Sequence, residues 1–251
     1  MIRLHDFSIG YGEHRLLENA DTRIPGRKIT ALIGRNGAGK STLLRAIAGL
    51  NKRYSGNISI DGHNIADMSP AAMARTLSLV TTERTRIPDM SCRDVVAVGR
   101  APYTNWIGHM REEDRQIVDR ALNEVGMAEY ADRTMDTMSD GECQRIMIAR
   151  ALAQSTPVIL LDEPTSFLDL PNRYELCSLL RQLAHENDRC ILFSTHELDI
   201  ALSMCDHIAL IDSPTLHCLP AEEMARSGLL ERLFSNNNVT FDPKKGGVCL
   251  K

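Results

Sequence analysis

A glycine-rich segment that ends in a lysine and a serine carries the clearest chemistry in the sequence. Residues 34–41 are Gly-Arg-Asn-Gly-Ala-Gly-Lys-Ser, which fits the phosphate-binding pattern G-x-x-x-x-G-K-S/T. Glycines let such a loop curl until its backbone N–H groups point at phosphate oxygens, and the following helix adds its positive N-terminal end. Lys40 would bring a charge to the β- and γ-phosphates, and the Ser41 hydroxyl could hold Mg²⁺. The segment therefore predicts a nucleoside triphosphate site.

Two adjacent carboxylates follow a short apolar run in the second half of the sequence. Val158–Leu161 is typical of a buried strand, and Asp162 and Glu163 come directly after it. Since ligands of α/β proteins bind outside the carboxyl ends of the strands, Asp162 is placed to reach Mg²⁺ beside the phosphate loop. Glu163 would point to a different side, where it could polarise an attacking water. Such a pair is common by itself, but together with the loop it favours nucleotide hydrolysis.

The elements that must position these residues alternate along the chain. Short continuous apolar runs lie at 29–33, 158–161, 190–193 and 207–211. Such runs are typical of parallel strands that are buried on both faces. Helices are predicted at about 40–48, 111–125, 140–153, 172–186 and 197–204. Strands that alternate with helices predict an α/β core with a parallel sheet.

Other segments predict two further parts of the fold. Residues 2–9 and 57–60 alternate between apolar and polar, which is typical of half-buried antiparallel strands. Residues 69–153 are mostly helical in pattern, with one strand at 77–81, and predict an inserted helical subdomain. The expected organisation is a single domain over 1–251. Its parts are a core of about 1–68 and 154–235, the helical subdomain, and a C-terminal tail of 236–251 that frays from residue 244.

Composition and charge exclude several classes of function. Of 251 residues, 43% are hydrophobic and 25% are charged, which is close to the average for a soluble protein. The formal charge of −4 argues against a general nucleic-acid binder, for which a basic excess is typical. No apolar run approaches the roughly 18 residues of a membrane-spanning helix, and the first residues lack the apolar core of a signal peptide. We therefore expect a protein that neither crosses a membrane nor is secreted.

The seven cysteines give no sign of a metal or redox motif. They are Cys92, Cys143, Cys177, Cys190, Cys205, Cys218 and Cys249. None forms a C-x-x-C pair, so the spacing predicts neither a zinc site nor a redox-active disulfide. We expect free and mostly buried thiols that act as small hydrophobic side chains.

Five motifs in one order resemble those of the ATP-binding cassette (ABC) ATPases. They are residues 34–42, Met-Ser-Asp-Gly-Glu-Cys-Gln-Arg at 138–145, Leu-Asp-Glu-Pro-Thr at 161–165, Ser-Phe-Leu-Asp at 166–169 and Ser-Thr-His at 194–196. The resemblance covers nearly the whole chain. It implies an α/β P-loop core with a mostly parallel sheet, an antiparallel β subdomain and an inserted helical subdomain. It also implies ATP and Mg²⁺ as ligands.

The resemblance implies a role for individual residues as well. Tyr11 matches the aromatic residue that stacks on adenine, and His196 matches the switch histidine that contacts the γ-phosphate. Asp162 and Glu163 match Walker B, with Glu163 as the catalytic carboxylate. Asp169 belongs to the D-loop, which crosses to the second subunit and adds to the ATP-binding residues. The Walker A segment comprises Gly34, Arg35, Asn36, Gly37, Ala38, Gly39, Lys40, Ser41 and Thr42.

The signature segment departs from the family pattern. The family usually has Leu-Ser-Gly-Gly-Gln/Glu, whereas residues 138–142 are Met-Ser-Asp-Gly-Glu. Ser139 with Glu142 three residues later predicts a capping box at a helix start. The resemblance implies that Ser139, Gly141 and Glu142 face the γ-phosphate of ATP that the opposite subunit holds. Asp140 suits the helix dipole but brings a carboxylate towards a polyanion, so we expect weaker closure of the ATP-bound dimer than a glycine would give.

The Q-loop is the second departure. The family normally has a glutamine after the strand that corresponds to 77–80, where it contacts Mg²⁺ and the attacking water. This sequence has Thr81-Thr82-Glu83 there. Ungapped comparison favours Thr82 as the metal ligand, and a shift of one residue would use Glu83, which also offers an oxygen. Both alternatives stay open, and hydrolysis is expected because the other motif residues are present.

The segment from Val95 to Trp106 indicates a branch of the family. Its pattern Val-x-x-Gly-Arg-x-Pro-Tyr, at 96–103, is similar to that of ATPases from importers of ferric siderophores, haem and cobalamin. Trp106 lies where such importers receive the coupling helix of the permease. The alternative is that it packs the helical subdomain, and both roles are compatible. The resemblance implies a homodimeric ATPase subunit, peripheral to the cytoplasmic face of the inner membrane. It would dock to permease subunits fed by an external substrate-binding protein, with no nucleic-acid partner.

An alternative from another class is a soluble ABC ATPase of iron–sulfur cluster assembly, which has the same motifs and size. The seven cysteines favour this alternative at first sight. Their unpaired spacing and the segment from Gly99 to Trp106 argue against it. DNA-repair and translation ABC proteins fit less well, since they usually carry long insertions or two tandem cassettes.

Overall fold

The structure is a computed structural model that describes residues 1–12, 14–82, 87–104, 108–166, 168–235, 238–242 and 247–250. Its strands are β1 (Ile2–Tyr11), β2 (His14–Ile24), β3 (Ile29–Gly34), β4 (Tyr54–Ile60), β5 (His63–Asn64), β6 (Leu77–Val80), β7 (Val158–Leu161), β8 (Cys190–Ser194), β9 (His207–Asp212), β10 (Thr215–Pro220), β11 (Val239–Asp242) and β12 (Gly247–Leu250). Its α-helices are α1 (Lys40–Ile47), α2 (Pro70–Thr76), α3 (Cys92–Ala97), α4 (Glu112–Glu124), α5 (Asp140–Ala153), α6 (Leu170–Glu186), α7 (Leu198–Met204), α8 (Ala221–Arg226) and α9 (Leu229–Phe234).

A six-stranded sheet in the order β10-β9-β3-β8-β7-β6 forms the core. All neighbours pair in parallel except β10, which is antiparallel to β9 at one edge. Every residue of β3, β7 and β8 is buried, because apolar clusters cover both faces of the sheet. Along β3, Ala31 and Ile33 belong to one cluster and Leu32 to the other. The predicted α/β fold with a mostly parallel sheet is confirmed.

An antiparallel sheet in the order β2-β1-β4-β5 accompanies the core. The alternating pattern of β1 and β4 predicts it correctly, whereas β2 alternates only from Ala20 to Ile24 and not in its first half. The reason is that the pairing of β1 with β2 contains register shifts, so that Leu16 and Leu17 are both buried although they are adjacent. Bulges of this kind interrupt the two-residue period by which strands are recognised.

The helical region lies between β5 and β7 in the sequence. Helices α3, α4 and α5 pack around a shared apolar cluster that includes Val95, Val118 and Ile146. Strand β6 also falls within 69–153, and it pairs with β7 at the edge of the core sheet. Among the described residues, no helix has the length and apolarity that crossing a membrane requires.

The C-terminal residues correct one expectation. Residues 247–250 are not frayed, because β12 pairs with β11 in an antiparallel hairpin. Phe241 of β11 is 2% exposed and shares an apolar cluster with Leu230 and Leu233 of α9. The backbone N–H of Phe241 also donates to the Ser235 hydroxyl at 3.3 Å. Burial of the Phe241 side chain therefore helps to hold this short hairpin in place.

Candidate active site

The phosphate loop connects β3 to α1 and is shaped by glycines. Gly37 and Gly39 have φ angles of 77° and 98°, in the left-handed region that favours glycine. A Cβ atom on Gly39 would also lie 2.9 Å from Leu16 Cδ1. Gly39 is the N-cap of α1, and no side chain caps the helix there. The first N–H groups of α1 therefore have no side-chain cap, which fits an anion at this position.

Lys40, the first residue of α1, is 6% exposed. Its Nζ donates to the Gly34 carbonyl at 3.2 Å and lies 3.5 Å from His196 Nδ1. Burial lowers the pKa of the Lys40 ammonium, and the nearby charges of Glu163 and Asp162 oppose that shift. A buried cation that is incompletely balanced suits a polyanionic ligand.

Glu163 and His196 meet at the mouth of this loop. His196 Nε2 lies 2.6 Å from Glu163 Oε1. The backbone of Glu163 has a φ of 49°, an unusual value for a residue with a side chain. Ser194 supports this conformation, since its hydroxyl accepts from the Glu163 N–H at 2.8 Å and donates to Asp162 Oδ1 at 2.6 Å. Sequence reasoning missed Ser194, although it opens the Ser-Thr-His motif.

Asp162 ends the buried strand β7, as predicted, and is 4% exposed. Its backbone N–H donates to the Val80 carbonyl at 2.8 Å, so the carboxylate is fixed at the carboxyl edge of the sheet. The side chains of Asp162 and Ser41 offer a carboxylate and a hydroxyl oxygen, which are donors that suit Mg²⁺. The residues present therefore fit the metal.

Seven of the fourteen predicted ATP-binding residues line one cavity of about 560 Å³, together with Glu163 and His196. Tyr11 at its edge is 57% exposed, and the Tyr11 hydroxyl lies 3.0 Å from Thr42 Oγ1. The lining is formed by Tyr11, His14, Leu16, Asn36, Gly37, Gly39, Lys40, Ser41, Thr42, Glu163 and His196. Sequence reasoning missed His14 and Leu16, because no pattern predicts β2 or its approach to the loop.

Two other Walker A residues have structural contacts. The Arg35 guanidinium points away from the loop and donates twice to the Leu233 carbonyl, at 3.1 and 2.8 Å. The Arg35 carbonyl accepts from the Ala38 N–H at 3.1 Å and closes the turn. Arg35 can therefore contribute to the phosphate loop through its backbone and not through its charge.

The signature segment lies outside the cavity lining. Ser139 caps α5, and the predicted capping box is present: the Ser139 N–H and hydroxyl donate to Glu142 Oε2 at 2.8 and 2.7 Å. The hydrogen bonds from Ser139 lower the pKa of the Glu142 carboxyl. A Cβ atom on Gly141 would lie 3.0 Å from Leu168 Cδ2, so a larger residue at that position would press on the end of the Leu168 side chain.

The remaining predicted residues also stand apart from the cavity. Asp169 caps α6, where its Oδ1 accepts from the Asn172 N–H at 3.2 Å. Thr82 is half-buried and does not line the cavity. Glu83 and Trp106 lie outside the described residues, so the two alternatives for the Q-loop residue stay open.

Known proteins are similar to this chain in sequence and in fold. The family model described as ABC transporter matches residues 17–166. The iron(3+)-hydroxamate import ATP-binding protein of Bacillus subtilis is 36% identical over 245 residues, which cover 96% of this chain and 91% of that protein. The achromobactin transport ATP-binding protein of Dickeya dadantii is 35% identical over 235 residues, which cover 93% and 87%. A dimeric bacterial ABC transporter cassette superposes with a TM-score of 0.77 at 25% identity, over 88% of this chain and 99% of that one.

These matches define the class of the protein. The chain belongs to the ABC transporter family. Within that family it is an ATP-binding cassette with ATPase activity, as the order of its motifs predicts.

Proposed function

We propose that the chain is the ATP-hydrolysing subunit of an ABC importer that takes up an iron chelate such as a ferric siderophore, haem or cobalamin. The observation that carries this proposal is the similarity, over nearly the full chain, to proteins named for achromobactin transport and iron(3+)-hydroxamate import. The pattern at 96–103 points in the same direction. These similarities do not favour the alternative of iron–sulfur cluster assembly. The subunit would act at the cytoplasmic face of the inner membrane, bound peripherally to its permease.

The phosphate-loop cavity is the proposed ATP site. Residues 34–42 would surround the phosphates, with Lys40 as the neutralising charge, and Tyr11 would stack on adenine. Ser41 and Asp162 would hold Mg²⁺, with Thr82 or Glu83 as a further ligand. When bound, Mg²⁺ neutralises charge on the β- and γ-phosphates and orients them.

Glu163 is the proposed general base. Its carboxylate is 28% exposed, so that water can reach it from the cavity, and it lies 2.6 Å from His196. It would accept a proton from the water that attacks the γ-phosphate. His196 would orient Glu163 and contact the γ-phosphate. Lys40, which lies 3.5 Å from His196 Nδ1, would balance the charge.

A second copy of the chain would complete each site. Ser139, Gly141, Glu142 and Asp169 do not line the cavity of their own chain. In a homodimer, the signature residues of one chain would cover the γ-phosphate in the other. The dimeric cassette to which the chain is similar supports this arrangement.

We also propose the division into a core (1–68 and 154–235), a helical subdomain (69–153) and a tail (236–251).

An apolar groove offers a docking surface for the permease. It has a volume of about 630 Å³ and lies between the end of α1, α2 and β6, with Met73, Leu77 and Leu79 in its lining. Leu50 at its rim is 70% exposed. The proposed occupant is a short amphipathic helix from a cytoplasmic loop of the permease, with its apolar face in the groove.

Transport by the subunit together with the permease that co-purifies with it tests the proposal. Vesicles that contain both proteins should take up a ferric siderophore, haem or cobalamin when Mg²⁺ and ATP are supplied, and vesicles with Glu163→Gln should not. Each of the three solutes is tested in turn. Co-purification with soluble assembly proteins and with no membrane protein would contradict the proposal.

A further inference from the structure

Helix α5 connects the signature, which the proposed function assigns to the second copy of the chain, with a segment that lies next to the wall of the apolar groove. Its N-terminal end carries the signature residue Ser139, and its C-terminal end lies beside the 3₁₀ segment Val98–Tyr103. Fourteen residues give the helix a length of about 21 Å. Eight of its fourteen residues are buried, all between Cys143 and Ala153, so α5 is packed tightly against its neighbours. A contact at its C-terminal end can therefore influence how the signature is oriented.

A buried arginine holds that end. Arg100 is 5% exposed, and its Nη1 donates to the Ala153 carbonyl at 2.8 Å and to Ser155 Oγ at 3.1 Å. Its Nε donates to Asp114 Oδ1 at 2.9 Å. Asp114, which is 6% exposed, also accepts from the Arg111 N–H at 3.0 Å and so caps α4. One guanidinium thus joins the 3₁₀ segment to the end of α5 and the start of α4.

Close packing accompanies these hydrogen bonds. A Cβ atom on Gly99 would lie 2.3 Å from the Arg150 carbonyl of α5, so only glycine lets the two backbones approach this closely. Two guanidinium groups lie over the Tyr103 ring. The Arg100 guanidinium is 4.0 Å from the ring centroid, and the Arg75 guanidinium is 5.2 Å from it. Glycine, arginine and tyrosine of the 96–103 pattern therefore all serve this junction.

The same junction reaches the walls of the groove. Arg75 of α2 donates to the Pro102 carbonyl through Nε and Nη2, at 3.1 and 2.8 Å. Gln154, at the C-cap of α5, donates to the carbonyls of Ala74 and Leu77 at 2.6 and 2.9 Å. Both Ala74 and Leu77 line the apolar groove. The C-terminal end of α5 is thus bonded to the surface proposed for the permease.

We propose that Arg100 is a positioning residue that couples the permease to the signature segment. It holds Val98–Tyr103 and α4 against the C-terminal end of α5, so that movement of the groove walls turns the signature at the other end. This inference rests on the proposed function. The guanidinium suits the task because its planar set of donors fixes several partners in one geometry, which a lysine ammonium cannot do.

A buried ion pair is a weak source of stability, since desolvation offsets most of the attraction. A well-packed apolar pair would hold the helices together at least as well. The pair adds specificity: it fixes one arrangement of Val98–Tyr103, α4 and α5, because displacement of any of these elements would leave a buried charge without its partner. That property suits transmission of movement between two sites.

The test compares ATP hydrolysis by the isolated subunit with hydrolysis and transport by the subunit assembled with its co-purifying permease. The variants are Arg100→Lys, Asp114→Asn and Arg75→Met. Arg75 is on the surface, and Arg75→Met leaves the buried pair of Arg100 and Asp114 intact. This variant therefore keeps the test valid if the other two do not fold. Glu112→Gln, which breaks an exposed pair with Arg115 on the same helix, is the matched control.

The isolated variants should hydrolyse ATP like the wild type. The increase in hydrolysis caused by the permease, and the solute transported per ATP, should fall about fivefold or more. Equal loss of isolated and permease-stimulated hydrolysis would mean that Arg100 is merely structural and would overturn the inference. Full stimulation in Arg75→Met or in Arg100→Lys would also overturn it. If the wild type itself shows no permease-dependent hydrolysis, the proposed function fails and the inference fails with it.

Discussion

At the scale of single residues, the site depends on how Glu163 is held. A left-handed backbone costs a residue with a side chain about 1–3 kcal/mol and persists only where neighbours fix it. Here the Ser194 hydroxyl bridges the Glu163 N–H and the Asp162 carboxylate, and His196 holds the other end of the side chain. The strain therefore aims the Glu163 carboxylate into the cavity, while Asp162 stays at the sheet edge.

Replacement of Glu163 by glutamine should separate binding from turnover. Glu163→Gln keeps the size of the side chain but removes the base, so kcat for ATP should fall by about 10²- to 10⁴-fold. ATP affinity should be retained, because the phosphate loop is unchanged. The rate of phosphate release measures kcat, and equilibrium binding of labelled ATP measures the affinity.

Glu112→Gln is the control for this replacement as well. The Glu112 side chain is 71% exposed and pairs with Arg115 of the same helix, outside the motif segments. Its loss should leave kcat near that of the wild type. Hydrolysis at a normal rate by Glu163→Gln would remove Glu163 from the proposed role.

At the scale of elements, prediction from sequence succeeded where one residue pattern decides the outcome. The bounds of β7 and α5 are as expected, since a continuous apolar run and a capping box are local signals. Strands β2 and β10 were missed, because a bulged strand and a partly exposed edge strand lack such a signal. The contacts of His14 and Leu16 with the cavity depend on β2, so they could not be predicted either.

The signature helix provides the prediction at this scale. In a Glu163→Gln background with Mg²⁺ and ATP, Asp140→Gly and Asp140→Asn should both strengthen dimerisation. Each removes the repulsion between a carboxylate and the proposed phosphate position, an effect of about 0.2–1 kcal/mol for charges that water screens. With two sites in a dimer, the dissociation constant should fall roughly tenfold, as measured by sedimentation.

Two comparisons make this result specific. Asp136→Asn removes an exposed carboxylate from the turn before the helix and should leave dimerisation unchanged. A gain with Asp140→Gly but not with Asp140→Asn would indicate an effect of backbone freedom and not of charge. No gain in either variant would contradict the expected charge conflict.

At the scale of the whole molecule, the chain closes on itself around the phosphate loop. The guanidinium of Arg35 donates to the Leu233 carbonyl of α9. Ser235 follows two residues later, and its hydroxyl accepts from the Phe241 N–H of the terminal hairpin. The sequence motif placed Arg35 at the phosphates, but motifs give no information on partners nearly 200 residues away. The structure thus makes the C-terminal helices a support for the ATP site.

The cysteines show how completely the chain is packed. None of the seven forms a disulfide, and five are buried. Burial raises the pKa of the Cys177 thiol to about 12 and also raises that of Cys205. Because the thiolate is the reactive form, such thiols are inert at neutral pH. They behave as small hydrophobic side chains, in agreement with the expectation from their spacing.

Alkylation by iodoacetamide at pH 8 checks this packing. In the native chain, Cys249 and then Cys218, the two half-buried cysteines, should be modified. Cys218 should be the slower, because burial raises its pKa to about 11 and about one thiol in a thousand is then ionised. Cys177 and Cys205 should react only in guanidinium chloride, where all seven become accessible, as peptide mass spectrometry would show. Modification of Cys177 or Cys205 in the native chain at the rate of Cys249 would mean that the helical layer around α6 and α7 opens readily, and that these cysteines are more than packing residues.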